Sequence, residues 1–150
     1  RPLVKSNTRL RDGGTISLLY FLPKFARERL YTFPMLSWQP DPVMDCHWST
    51  MNFFNDTPDN RFTGTRNTVP YLQTNYTQVA KPEAYGDVIL LQNAQGKNIH
   101  SAVYIAADIV FTKNGYACSQ PWMLMHLDDL LTRYTTDTPP KLLVYRKKKL

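Results

Sequence analysis

The stretch IHSAVYIAADIVFTKNG, residues 99–115, constrains the fold of this chain more than any other. Its first half alternates. His100, Ala102 and Tyr104 point to one side of an extended backbone, and Ser101, Val103 and Ile105 to the other. Alternation with a period of two marks a strand, because successive side chains leave a pleated chain on opposite faces. A second apolar run follows Ala107–Asp108, so the segment reads as two strands around a tight turn, which makes them antiparallel. GDVILLQN at 86–93 supplies a strand before them and KLLVYR at 141–146 a strand after them.

Helical segments are expected around this sheet. PKFARERLY at 23–31 reads as a short helix with proline at its first position. Asp45 reads as the N-cap of CHWSTMNFF, where Trp48 and Met51 recur at helical spacing. A second short helix is expected within 68–79. SQPWMLMHLDDLLTRY at 119–134 reads as a helix with Leu124, Leu127, Leu131 and Tyr134 along its apolar stripe. TISLLYFL at 15–22 reads as a strand, and 34–45, with Pro34, Pro40 and Pro42, as an extended loop. Helices precede a run of strands, and one helix precedes the last strand. That order predicts an α+β domain with an antiparallel sheet.

The chain of 150 residues is one domain's length and long enough for a real core. The formal charge is +6, part of it in the terminal YRKKKL, which reads as a solvated tail. No Arg/Lys stripe interleaved with aromatics occurs elsewhere, so no specific nucleic-acid binding is expected. No apolar run approaches the roughly 18 residues of a membrane span, because ISLLYFL stops at Pro23. The two cysteines, Cys46 and Cys118, make no disulfide framework. A bridge between them would consume both thiols.

Cys46 is the candidate with chemistry. At the start of a helix the macrodipole favours its thiolate. Of the three histidines, His47 is its neighbour and leaves a helix about 100° away. His126 lies among core residues of its segment. His100 sits beside small Ala102 on one strand face. If that face packs on the Cys46 helix, imidazole meets thiol. The plainer alternative is a buried, inert cysteine and a hydrogen-bonded structural histidine. The absence of CxxC or HxxxH spacing leaves no metal site to expect, and no cofactor is called for.

Three segments in order, DCHWSTMNFF, YGDVILLQ and IHSAVYIA, resemble the NlpC-like cell-wall peptidases, small relatives of papain. That family carries D-C-S-G-F at a helix start, G-D-L-V-F-F on a strand and H-V-G-I-Y-L-G on the next. Asp45–Cys46 match the first motif, Gly86–Asp87 with Val88 and Ile89 the second, and His100, Ala102, Val103, Tyr104 and Ile105 the third. The resemblance covers roughly residues 40–115. The family's Ser-Gly after cysteine is His47–Trp48 here.

The resemblance implies a papain-like core over 45–146 behind a groove-forming segment at 1–44. It implies a cysteine peptidase or amidase in which Cys46 attacks an amide carbonyl and His100 serves as base. Counting as the family counts puts the residue orienting the base at Thr112, and Asn114 on the same strand face is the better chemical match. Asp45 flanks the nucleophile, and Trp38, Tyr104 and Trp122 are the implied groove walls. The implied substrate is the peptide of bacterial peptidoglycan, acted on by a secreted, periplasmic or cell-envelope protein. Two alternatives accompany it, a non-catalytic binding module on the same fold and a thiol acyltransferase or amidase with another substrate.

Overall fold

The computed structural model describes residues 17–34 and 43–149. It is an α+β fold built on a six-stranded antiparallel sheet. Four α-helices are described: α1 (Lys24–Arg29), α2 (Cys46–Met51), α3 (Thr65–Asn75) and α4 (Leu127–Tyr134). The strands are β1 (Tyr76–Val79), β2 (Val88–Gln92), β3 (Asn98–Ala106), β4 (Ile109–Lys113), β5 (Trp122–His126) and β6 (Lys141–Lys147), in the order β1-β6-β2-β3-β4-β5.

The hairpin read at 99–115 is β3 and β4. Ala107 (φ 45°) and Asp108 (φ 66°) take the left-handed conformation that a two-residue turn requires for its twist to match the strands. Asp45 caps α2 as expected, its carboxylate accepting the Trp48 N–H at 2.7 Å and the Gly64 N–H at 2.8 Å. Pro23 stands just outside α1 as its N-cap.

Three segments differ from the sequence expectation. Residues 119–134 are not one helix but β5 followed by α4. Met123 pairs with Thr112 and Leu124 with Phe111, so the WMLMH run extends the sheet at the open edge of β4. A short apolar run fits either period, and a free sheet edge decided this one. Residues 18–21 form a 3₁₀ turn capped by Ser17 instead of a strand, and residues 15–16 lie outside the described residues. The terminal basic run is exposed at Lys147–Lys149 but is tied to the fold at two of its residues. β6 runs through Lys147, Arg146 pairs with Asp87, and Lys148 donates to the Thr74 carbonyl.

The sheet is covered on both faces. Ser101, Val103 and Ile105 of β3, with Phe111 and Trp122, face α1 and α2, where Phe25, Ala26, Trp48 and Phe53 complete a buried cluster. On the opposite face Ala102 and Val110 join Ile89, Leu91 and Leu130, with Leu127, Leu131 and Tyr134 of α4 packed over them. The face of β3 against the Cys46 helix is therefore the Ser101 face, not the His100 face. Gly86, at the head of β2, has φ +91°, and a Cβ there would meet the Phe54 ring at 2.7 Å, so both backbone and space favour glycine.

Candidate active site

The site forms where the sheet opens. Residue pairing between β3 and β4 ends at Val103↔Phe111, although β3 reaches back to Asn98 and β4 forward to Lys113. β3 stays paired with β2 and β4 with β5, so the two halves separate at this end. Backbone groups left without a ladder partner need others. The Ser101 carbonyl accepts the Thr112 hydroxyl at 3.2 Å. Ser101 and the His47 main chain favour the charged form of the Cys46 thiol, against its burial. The first residue of α2 thus meets β3 at the mouth of the gap.

His100 is fully buried. Its Nε2 lies 2.7 Å from Thr112 Oγ1. The Thr112 hydroxyl has one proton, and it is directed at the Ser101 carbonyl, so this oxygen accepts from His100 Nε2–H. That fixes the tautomer and leaves Nδ1 as a bare lone pair. Nδ1 is buried and has no hydrogen-bond partner among the described residues. The ring stacks on Tyr134 of α4, with centroids 4.2 Å apart and planes 21° from parallel.

Burial sets the electrostatics. It pushes the Cys46 thiol up, helped by the Asp45 carboxylate and against Ser101 and the His47 main chain, to about 11. Burial pushes His100 down to about 3, with His47 and Arg133 adding like charge, and it lowers His47 against the pull of Asp45. Both groups rest neutral, and no hydrogen bond joins the His100 imidazole to the Cys46 sulfur among the described residues.

A pH dependence of stability follows. A histidine whose folded pKa is depressed contributes stability that is full above its unfolded value near 6.5 and lost as pH falls toward the folded value of about 3. Between those limits the parent is expected to lose on the order of 2 kcal/mol more than His100→Gln, read as urea-unfolding free energy against pH. Parallel curves for the two proteins would contradict this.

The remaining candidates fall as follows. Thr112, not Asn114, holds the His100 imidazole. Asn114 is buried with its amide nitrogen 3.3 Å from Met123 Sδ and its Oδ1 unpartnered among the described residues. Asp45 is spent on capping α2 and the Gly64 N–H. Trp122 is 2% exposed and donates its indole N–H to Ser49 at 2.8 Å, which places it in the core instead of a groove wall. Tyr104 is half-buried on the α4 face. Trp38 lies outside the described residues. Cys46 and Cys118 are both free, the first buried and the second exposed.

The sequence reading set His47 aside as poorly placed and gave Ser101 and Lys113 no role in the site. His47 and Ser101 are bonded to each other, Nδ1 to Oγ, at 3.0 Å. Lys113, in FTKNG, is fully buried and donates to the Gly115 carbonyl at 2.8 Å and the Ala117 carbonyl at 2.9 Å. Its ammonium thereby folds the loop after β4 back on the strand, and Asp45 and Cys46 are among the groups that favour its charge. A buried lysine on a strand was the available signal, since lysine is almost never fully buried unless paired.

The chain was compared with protein-family models, curated proteins and solved structures, and none matches. Among the described residues, no helix is long and apolar enough to cross a membrane.

Proposed function

We propose that this protein is a cysteine-dependent amide hydrolase of papain-like design, with Cys46 as nucleophile, His100 as base and Thr112 as the residue that orients the base. The observation that carries the reading is the His100 imidazole. One nitrogen is tied to a hydroxyl and the other is bare and unpartnered. A general base needs that arrangement, with its tautomer fixed on one side and a lone pair free on the other. His100 adjoins Ser101, a residue of β3 that faces the Cys46 helix, and its free nitrogen has no hydrogen-bond partner among the described residues.

In the proposed reaction the Cys46 sulfur attacks the carbonyl carbon of an amide as His100 Nδ1 takes the thiol proton. The Cys46 main-chain N–H, a first-turn donor, steadies the developing oxyanion. The imidazolium returns its proton to the departing amine, and water releases the acyl group from sulfur. The neutral resting pair makes this concerted base catalysis and not attack by a stored thiolate. The motifs shared with cell-wall peptidases favour stem peptides of peptidoglycan as substrate, and the +6 charge of the chain suits an anionic polymer.

Incubation with peptidoglycan stem peptides and with a panel of unrelated amides, read by mass spectrometry, tests both levels. Cleavage of stem peptides that disappears in Cys46→Ala is the expected result. Cleavage or acyl transfer confined to other amides keeps the chemistry and removes the substrate.

One specific observation favours a second reading. A cysteine 5% exposed with its thiol pushed up to about 11 is also what a binding module that has lost turnover would keep. Stem-peptide binding without any Cys46-dependent cleavage would select it.

A further inference from the structure

A cavity of about 180 Å³ lies beyond the end of α2, toward the β1–β6 edge of the sheet. Strand register sets one wall. Val103 pairs with Val88 and Val88 with Tyr145, while Tyr76 pairs with Lys147, two residues past Tyr145. Directly opposed residues, and residues two apart, share a face. Val103, Val88, Tyr76 and Lys147 therefore lie on the sheet face that carries α2. Thr50 of α2, Phe62 and Tyr71 are among the residues that complete the lining. Cys46, His47, His100 and Thr112 are not part of it, so this cavity is separate from the proposed active site.

The lining has a distinct chemistry. The Phe62 and Tyr71 rings meet 4.9 Å apart at 68°, and Tyr76 follows 6.3 Å from Tyr71. The Arg61 guanidinium stands 5.1 Å from the Phe62 centroid and 5.9 Å from that of Tyr71. Its Nε is held by Asp59 at 2.7 Å, which offsets its charge. Lys147 is exposed and forms no ion pair among the described residues, so the lining carries one positive charge in excess. Thr50 is 3% exposed, and its Oγ1 has no hydrogen-bond partner among the described residues. A buried hydroxyl left unpaired is costly and calls for an explanation. A cavity of roughly 150 Å³ holds benzene, so this one has room for a ring with one small substituent.

We propose that this cavity binds a small aromatic carboxylate, with its ring against Phe62, Tyr71 and Tyr76 and its charge toward Lys147 and Arg61. Aromatic walls favour a flat apolar body, since ring pairs gain beyond the area they bury. One excess positive charge matches a monoanion, and the Asp59 carboxylate in the same lining opposes a phosphate dianion. Binding here involves no bond made or broken and is independent of the reading of Cys46 as a nucleophile.

Isothermal titration of the whole chain at neutral pH and fixed ionic strength tests this, with benzoate as the probe. Benzoate is expected to bind once per chain, with a Kd of about 1 mM or tighter. Acetate, which has the charge without the ring, benzamide, which has the ring without the charge, and phosphate should each bind at least about tenfold more weakly. Lys147→Gln should weaken benzoate at least about fivefold. Lys149→Gln removes the same charge outside the cavity and should leave the affinity unchanged. Thr50→Val keeps the volume and removes the unpaired hydroxyl, so the free protein should unfold at no lower a temperature.

Absence of saturable benzoate binding up to about 20 mM overturns the proposal. So does acetate, benzamide or phosphate binding as tightly as benzoate, or an affinity that Lys147→Gln leaves unchanged or that Lys149→Gln lowers equally. Cys46→Ala should bind benzoate as the parent does, so loss of the hydrolase reading leaves this result standing.

Discussion

His100→Gln is expected to lower kcat/KM for amide cleavage by about a thousandfold, with the thermal transition little changed. Glutamine keeps a donor for Thr112 and most of the ring's volume, but it has no lone pair basic enough to take the Cys46 proton. The estimate is the range that a positioned base contributes, roughly two to four orders of magnitude. Thr112→Val separates orientation from chemistry. It leaves the imidazole in place and removes the oxygen 2.7 Å from Nε2 that fixes its tautomer. Its expected cost is about ten- to a hundredfold in kcat at nearly constant KM, because Thr112 lies behind the base. Steady-state kinetics beside circular dichroism would read both. Wild-type turnover in His100→Gln would remove His100 from the mechanism.

Asp87→Ala is expected to destabilise the fold by about 3–4 kcal/mol. The Gly-Asp pair resembled a family motif in sequence, and the structure gives it a mechanical task. The carboxylate is 1% exposed and accepts four hydrogen bonds. Two come from the Glu83 and Ala84 N–H groups at 3.0 and 2.9 Å, and two from Arg146 at 2.8 and 2.7 Å. Burial alone would raise this carboxyl, but the Arg146 and main-chain donors outweigh it and hold it below its ordinary value. Alanine leaves the two N–H groups unpaired and frees Arg146, which is exposed enough to rehydrate. The lost pair also ties β6 to the turn that sets β2 against β3, since the Tyr104 N–H donates to the Asp87 carbonyl at 2.8 Å. Urea unfolding at neutral pH measures the cost, and a loss under about 1 kcal/mol would show the pair to be incidental.

Local chemistry carries much of this fold. The alternation of 100–105 and the Ala107–Asp108 turn specify the β3–β4 hairpin. Asp45 before an amphipathic run specifies the start of α2, because a carboxylate at that place satisfies first-turn N–H groups wherever the helix finally lies. The α+β class follows from the order of such elements. The WMLMH run shows where local information stops. Its residues suit a helix stripe and a strand about equally, and the open edge of β4, contributed from elsewhere in the chain, chose strand.

The site divides in the same way. Sequence alone determined which groups carry the candidate chemistry, a thiol at the first turn of a helix and an imidazole on a strand, since those depend on residue type and local period. Only the tertiary structure decided which face of β3 meets α2, that Thr112 and not Asn114 holds His100, that Trp122 belongs to the core, and that Ser101 hydrogen-bonds His47. Both faces of β3 are apolar and both are covered, so nothing along the strand marks one as the helix side. That choice is made by packing between segments far apart in the chain, and the hydrogen bonds of the site follow from it.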